Sequence, residues 1–461
     1  MDRRKFIAQT AAAGIGLGLS GRFGPLYGAD SSGPGTPPSD RVVVGVMGVN
    51  SRGSVLAQSF AASGSAEVAY ICDPDSRAVA QAVGAVSEPR RVEAGEGLPP
   101  EVLPALQERP PQGVGDFRRI LDDRDVDALV IAAPDHWHAP ATILALQAGK
   151  HVYVEKPCGH NPREGELLVE AQRRYGRVVQ MGNQQRSSPE TIQAIEEIRA
   201  GIIGRPYFGR AWYGNRRGPI GRGRVVDVPP WLDYELWQGP APRTPYRDNV
   251  VHYNWHWFWR WGTGEICNNG THEIDVCAWA LDVSYPVRAS SAGGRYHFDD
   301  DWEAFDTQIA TFDFEGGKTI AWEGRSCNAR GLEGRGRGAS IHGEHGTVII
   351  DRNGYVVYDN ENNETKKVTR GEAEATLDTR GGGSLTDLHI ANFLNAIRGN
   401  ERPTAPIDEA RRSVLLCHLG NIAQRTGRTL QCDPNTGRIL GDEQAMELWS
   451  RSYEPGWEPI L

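Results

Sequence analysis

Val42-Val-Val-Gly-Val-Met-Gly-Val-Asn-Ser-Arg-Gly53 decides how this chain is read. Val42 to Met47 is an apolar, β-branched run, the pattern of a strand buried on both faces. Gly48 and Gly53 frame a tight turn, and a helical pattern follows from Val55 to Ala62. A second apolar run, Glu67 to Cys72, ends at Asp73, twenty residues after Gly53. Strand, glycine turn, helix, strand and acid together make the dinucleotide-binding pattern. Unpaired amides at the helix start take the pyrophosphate, and the acid bonds the adenosine ribose. The middle glycine of that pattern is Asn50 here. Asparagine tolerates left-handed dihedrals, so the turn survives. Asn50, Ser51 and Arg52 are expected to face the phosphates. Asp73 predicts NAD over NADP, because a carboxylate against an added 2′-phosphate costs roughly 4 kcal/mol at about 4 Å and an effective dielectric of 20. Arg77 nearby is expected to soften this to ~10²-fold discrimination, each tenfold being about 1.4 kcal/mol.

Working outward, Ala128 to Ala133 reads as another buried strand, followed by Pro134-Asp135-His136-Trp137-His138. A helix with Pro140 in its first turn stops at Gly149. His151 to Val154 is a further strand, ended by Glu155-Lys156-Pro157, where proline removes a ladder donor. That places Glu155 and Lys156 at a strand's carboxyl end, where open α/β sheets bind ligands. Lysine is scarce in this chain (only Lys5, Lys150, Lys156, Lys318, Lys366 and Lys367), so Lys156 is poor surface filler. A helix over Glu164 to Tyr175 leads to the strand Val178 to Met181 and then to Asn183, Gln185 and Arg186. Ser87 to Val114, rich in Pro, Gly and charge, reads as an insertion loop. This alternation predicts a doubly wound parallel sheet, a Rossmann domain over residues 41–187.

Residues 188–461 change rhythm. A helix starts at Ser188-Pro189, and alternating runs with glycine turns (Thr307 to Phe314, Lys318 to Glu323, Gly346 to Asp351, Tyr355 to Tyr358) predict antiparallel hairpins. Two helices close this half, one starting near Ser384 in a Ser-x-x-Asp capping pattern and one over Asp408 to Gln424. Between them lies the chemically richest stretch, His252 to Asp275. Trp255, Trp257, Trp259 and Trp261 alternate with His256 and Phe258; in an extended chain four indoles would share one face, a platform for sugar C–H groups. Asn268, His272 and Asp275 follow in a glycine-rich turn. His136 and His138 have no carboxylate completing a familiar metal site, and no metal is expected.

A formal charge of −9 argues against nucleic acid or an anionic membrane as partner. The seven cysteines are scattered and never spaced Cys-x-x-Cys, which gives neither a disulfide framework nor a zinc site. Arg3-Arg4-Lys5-Phe6 precedes a soft apolar run, Ile7 to Leu19, too short to span a bilayer. Residues 1–40 resemble a twin-arginine signal and linker, departing from it at Asp2 and Ala8, and predict export of a folded protein to a bacterial periplasm.

The glycine turn with Asp73, Ala133-Pro134-Asp135 with His138, Glu155-Lys156-Pro157 and Gly270-x-His272-x-x-Asp275 resemble the glucose–fructose oxidoreductase/inositol dehydrogenase family, often written Gfo/Idh/MocA. The resemblance runs from about residue 41 to the C-terminus. It implies a Rossmann domain followed by an α/β domain with a large, mostly antiparallel open sheet, over 188–461, whose outer face makes subunit contacts in a homodimer or tetramer. It implies that Gly48, Asn50, Ser51, Arg52, Gly53, Asp73, Arg77, Pro134, Asp135, His138, Glu155 and Lys156 hold a nicotinamide dinucleotide. Lys156 and His272 become the catalytic pair, and Asn183, Gln185, Arg186, Trp255, His256, Trp257, Asn268 and Asp275 the substrate side. The family often carries aspartate where this chain has Asn268. The expected activity is oxidation of a secondary hydroxyl of a sugar, glycoside or cyclitol with tightly held NAD. Two alternatives keep the fold: a glycoside-cleaving enzyme working by oxidation, elimination and reduction, or a non-catalytic cofactor-bearing sugar-binding protein.

Overall fold

The computed structural model describes residues 40–92, 101–370 and 383–461. The signal expected at the N-terminus lies outside the described residues. The chain opens with β1 (Val42–Met47), α1 (Arg52–Ala62), β2 (Ala66–Cys72) and α2 (Ser76–Ser87). Next come β3 (Arg90–Val92), β4 (Glu101–Leu103), β5 (Gln112–Val114), α3 (Arg118–Asp122), β6 (Ala128–Ile131), α4 (Asp135–Gln147), β7 (His151–Val154), α5 (Pro162–Tyr175) and β8 (Val179–Met181). Six of these strands form one sheet in the order β5-β2-β1-β6-β7-β8, every pair parallel. β1 and β6 are buried throughout because helices cover both faces, which is why their sequences are apolar without alternation.

Two expectations change here. The stretch from Ser87 to Val114 is not all loop: β3 pairs antiparallel with β4, and β5 adds a parallel edge to β2. Pro140 lies in the second turn of α4, not the first, since the helix begins at Asp135. Proline there leaves the carbonyl of His136 without its helical donor. Arg451 fills the gap, its Nη2 donating to that oxygen at 2.7 Å.

The second half contributes α6 (Pro189–Arg199), β9 (Pro206–Gly214), α7 (Tyr234–Gln238), α8 (Thr271–Leu281), β10 (Arg288–Gly294), β11 (Thr307–Phe314), β12 (Lys318–Arg325), β13 (Arg337–Gly343), β14 (Gly346–Asp351), β15 (Gly354–Tyr358), β16 (Glu364–Thr369), α9 (Ser384–Ile397), α10 (Ile407–Thr426) and β17 (Leu430–Gln431). Nine strands make a second sheet, β16-β15-β14-β13-β9-β12-β11-β10-β17, antiparallel except where β9 meets β12. α8 lies on its inner face, where Ile274, Cys277 and Leu281 join Trp322, Phe312 and Ile341 in one core. Gly383 occupies the cap position of α9, so Ser384 begins the helix instead of capping it.

Helices of the second half also bury the first sheet. Ile390, Phe393 and Leu394 of α9 pack with Val44, Val130 and Tyr153. α10 divides its faces: Ala410 and Val414 join the Rossmann core, while Leu415, Leu419 and Ile422 join the other. The carboxyl ends of β1, β2, β6 and β7 therefore open toward residues of the second half.

Candidate active site

A cavity of about 360 Å³ lies where those strand ends meet the second half, within the usual range for a small-molecule pocket. One end is the glycine turn. Gly48 has φ +84°, and a Cβ there would sit 2.4 Å from the amide nitrogen of Ala133, so glycine is required. Gly53 does not line the cavity; a Cβ on it would meet the Gly48 carbonyl oxygen at 1.9 Å, so its role is to let α1 approach the turn. Ser51 offers α1 no side-chain cap, leaving the helix's first amides for an anion. Gly48, Asn50, Ser51, Arg52 and Asp73 all line the space. Asp73 accepts from the backbone amides of Val49 at 2.8 Å and Asp75 at 2.9 Å, which fixes it under the turn. These residues fit a dinucleotide: uncapped amides and Arg52 for the pyrophosphate, Asp73 for ribose hydroxyls. Arg77 turns away. It pairs with Asp75 and does not line the cavity.

Pro134, Asp135, His138, Glu155 and Lys156 line the middle of the cavity. His138 bridges two loops, its Nδ1 2.5 Å from the carbonyl oxygen of Pro157 and its Nε2 2.7 Å from that of Ala133. Asp135 accepts from the Thr263 hydroxyl at 2.5 Å. Arg52 Nε donates to Glu155 Oε1 at 2.8 Å and Gln184 Nε2 donates to the same oxygen at 3.1 Å. Burial raises the Glu155 carboxyl, yet Arg52 and Lys156 outweigh it and hold the group below its usual value. A Cβ on Gly182 would meet that carboxylate at 2.7 Å, which explains glycine at the end of β8.

Lys156 Nζ donates to the backbone carbonyl of Asn268 at 2.5 Å and to its Oδ1 at 3.1 Å. Burial lowers the ammonium from its ordinary value, against the opposing pull of Glu155 and Asp135. Asn268 belongs to a π-helical turn, Ile266–Gly270, that runs directly into α8. His272 thus sits in the first turn of a helix rather than in a loose glycine turn. Its ring lines the cavity. Burial first, then the charges of Arg352, Lys156, Arg337 and Arg52, push the imidazole well below the usual histidine value. At neutral pH it is an uncharged ring, not the partly charged group that an unperturbed pKa near 6.5 would give.

The carboxylate missing at Asn268 reappears one turn earlier. Glu265 accepts from Arg217 Nε at 2.6 Å and Nη2 at 3.1 Å, and from Ser326 at 3.1 Å and Asn269 at 2.5 Å. Although burial opposes its charge, Arg217 and these bonds hold it at about 2. Its Oε1 accepts from Asn268 Nδ2 at 3.5 Å, and its charge adds to those of Glu155 and Asp135 in favouring the Lys156 ammonium.

On the substrate side Trp255, His256 and Asn268 line the cavity, with Trp255 and His256 stacked at 3.5 Å. The four indoles do not share a face. Asn254–Trp257 is a 3-10 turn, not a strand, and it scatters them. Trp257 stacks on Trp302 at 4.0 Å, Trp259 packs on Phe305 and Trp261 on Trp237. Asn183, Gln185, Arg186 and Asp275 lie outside the cavity lining. Arg186 and Asp275 form a buried two-bond pair at 2.7 and 2.9 Å, extended by Glu409 and Ser413, which ties the loop after β8 to α8 and α10. Gln185 donates to the Asp351 carbonyl. Gln184, Arg217, His252, Asn269 and Arg337 line the cavity unforeseen. Gln184 was legible as the neighbour of Gln185 on a tight turn; Arg217 follows the end of β9 and Arg337 opens β13, and neither carries a local signal. Among the described residues no cluster of His, Cys, Asp or Glu could hold a metal.

His272→Ala is expected to fold, to bind nucleotide and to lose ~10²-fold or more in turnover between pH 6.5 and 8. The wild-type rate should show no step near pH 6.5, because the ring is already neutral there. A variant keeping the wild-type rate would make His272 a packing residue.

Two family models match the chain: an oxidoreductase family NAD-binding Rossmann fold over residues 42–183, and the C-terminal α/β domain of the same family over residues 240–431. Among curated relatives, a glycosyl hydrolase family 109 protein of Saccharopolyspora erythraea is 30% identical over 227 residues, covering 46% of this chain and 45% of that protein. The chain thus spans about half the length of these glycosidase relatives. An inositol 2-dehydrogenase of Rubrobacter xylanophilus is 26% identical over 318 residues, covering 68% of this chain and 72% of that one. Among solved structures, a levoglucosan dehydrogenase in complex with NADH and levoglucosan superposes with a TM-score of 0.62 at 17% identity, covering 85% of this chain and 99% of that one. The WlbA dehydrogenase of Bordetella pertussis, in complex with NADH and UDP-GlcNAcA, gives 0.61 at 21% identity with the same coverage. With both sheets, the glycine turn and the Lys156/His272 cavity in place, these matches lead to one conclusion: the chain belongs to the Gfo/Idh/MocA family of NAD-binding oxidoreductases.

Proposed function

We propose that this protein oxidises a secondary hydroxyl of a sugar, glycoside or cyclitol, using NAD in preference to NADP and holding it through the catalytic cycle. The observation that carries this reading is the placing of Lys156 and His272 in one cavity with the uncapped start of α1 and Asp73. NAD, when bound, supplies the hydride acceptor. Lys156, already a donor to Asn268, turns its ammonium to the reacting oxygen and stabilises the alkoxide that develops there, an effect strongest where water is excluded. His272, neutral before reaction, takes the hydroxyl proton. Trp255 offers an indole face to the sugar ring.

Matches to glycosyl hydrolase family 109 proteins favour a second reading at the same site. Oxidising a ring hydroxyl acidifies the neighbouring C–H; loss of that proton expels the aglycone, water adds, and the ketone is reduced again with no net redox change. A panel of sugars, cyclitols and aryl glycosides separates the readings. Net nicotinamide reduction, read from its near-ultraviolet band, supports the dehydrogenase, and aglycone release without it supports the cleaving enzyme. Saturable binding with neither would leave a sugar-binding protein.

Export of the folded protein by the twin-arginine route is part of this proposal. Dinucleotides are made in the cytoplasm, so an exported enzyme has to carry its own, and because it cannot exchange the reduced form each cycle returns the hydride, either to a second sugar or to the oxidised substrate itself. With association at ~10⁶ M⁻¹s⁻¹, residence for hours needs a Kd near ~10⁻¹⁰ M. Protein purified without added nucleotide is therefore expected to carry close to one NAD per chain after gel filtration. Folded, nucleotide-free protein that turns over only with micromolar NAD would defeat the retention part and leave an ordinary exchanging dehydrogenase.

A further inference from the structure

The loop after β2 is held by the far half of the chain. Asp75 caps α2, accepting from the Arg77 amide at 2.9 Å, and its carboxylate also takes the Arg77 side chain, Nε at 3.1 Å and Nη2 at 2.9 Å. The guanidinium lies over the ring of Trp231, 3.3 Å from its centroid. Trp231 belongs to the segment between β9 and α7, and that segment is itself sewn to the loop. The Ser76 amide donates to the Trp231 carbonyl at 3.0 Å, the Asp233 amide donates to the Pro74 carbonyl at 3.0 Å, and Leu232 bridges to Asp75. From the same half His252, which lines the cavity, places Nε2 3.2 Å from Asp75 Oδ2.

Arg77 lies four residues beyond Asp73, in the first turn of α2. An arginine near the ribose-binding acid is what accommodates the 2′-phosphate of NADP in this kind of fold. Here the side chain is charge-paired on one edge and stacked on one face, and neither interaction leaves it pointing into the cavity.

We infer that Trp231 and Asp75 select NAD by keeping Arg77 out of reach of the ribose, so that part of cofactor choice resides in the substrate-side half of the chain. Asp73 repels the 2′-phosphate; Trp231 and Asp75 withhold the cation that would compensate for it. The inference rests on the reading that the cavity binds a nicotinamide dinucleotide.

The test compares wild type, Trp231→Leu, the double variant Trp231→Leu/Asp75→Asn, and that double variant with Arg77→Ala. Leucine keeps apolar bulk without a π face, and asparagine keeps an acceptor for capping α2. Each protein is equilibrated with an equimolar mixture of NAD+ and NADP+ until the bound ratio stops changing. It is then gel-filtered, and the retained nucleotides are quantified by mass spectrometry. The double variant is expected to shift the bound ratio at least ~10-fold toward NADP+, Trp231→Leu by less, and adding Arg77→Ala should abolish the shift. A double variant that discriminates like wild type overturns the inference, as does a shift that survives loss of Arg77. If wild type, folded by circular dichroism, retains and binds neither nucleotide, the parent reading fails instead. Should the double variant not fold, Trp231→Leu against Trp231→Leu/Arg77→Ala decides by the same two criteria.

Discussion

Lys156→Ala is expected to lower turnover by ~10²- to 10³-fold, the usual loss when one donor to a developing oxyanion is removed. The variant should stay folded, since Lys156 is bonded only to Asn268 atoms at the cavity wall and the pyrophosphate and ribose ends are untouched. Nucleotide content should hold, so the loss falls on kcat. Lys156→Arg should not rescue, because a planar fork does not reproduce the single ammonium that reaches both oxygens of Asn268. Stopped-flow absorbance of nicotinamide reduction in the first turnover is the measurement, because it isolates hydride transfer from product release. A first-turnover rate within threefold of wild type would remove Lys156 from the chemistry.

The second large effect is on stability in acid. His136, His389 and His418 are buried and neutral, and burial pushes their rings down to about 3, 4 and 4. Each folded value lies below the unfolded one, so the stability they contribute is complete above pH ~6.5 and lost as pH falls. At pH 5 the unfolded chain has taken up these protons and the folded chain has not, a difference of about 2 kcal/mol per ring and about 6 kcal/mol for three. Whole domains have about 5–15 kcal/mol. Asp73 and Asp135, raised by burial, work the other way as they take up protons, while Glu265, at about 2, adds its own loss only below the ordinary carboxylate range. Unfolding by tryptophan fluorescence is therefore expected with a midpoint near pH 5, and reversal on return to pH 7. A protein still native at pH 4 would show that these rings accept protons in place.

The first half of the site was legible because its chemistry is local. A buried strand, a glycine turn and an acid lie within Val42–Asp73, and the structure brings Gly48, Asn50, Arg52 and Asp73 to one cavity. Lys156 was legible for a similar reason: a strand end and a proline fix where it emerges. Arg217, Glu265 and Arg337 were not, because their meeting depends on how β9, β13 and the π-helical turn register against each other. The alternating tryptophans misled because period two describes a strand only where the backbone is extended, and Asn254–Trp257 turns. Pro140 misled because the carbonyl it leaves without a helical donor, that of His136, is taken up by Arg451, 315 positions further along. Protonation was the least legible property of all. His272 is set by burial and by four cations that only tertiary structure assembles.

One wall of the cavity depends on residues made long after the glycine turn. Trp137 lines it, and Trp137 is backed by Trp457 at 5.1 Å, while Arg451 holds α4 through the His136 carbonyl and Tyr453 donates to Glu164 on α5. At about 5–20 residues per second, roughly 15–55 s separate the synthesis of Gly182 from that of Trp457. During that interval the parallel sheet has all its strands, but the clasp that supports α4 does not exist. A chain interrupted before Arg451 has the glycine turn without the backing of the Trp137 wall. The far end of the chain thus finishes a pocket that its near end begins: the wall formed by Trp137 is braced only once Arg451, Tyr453 and Trp457 have packed against α4 and α5.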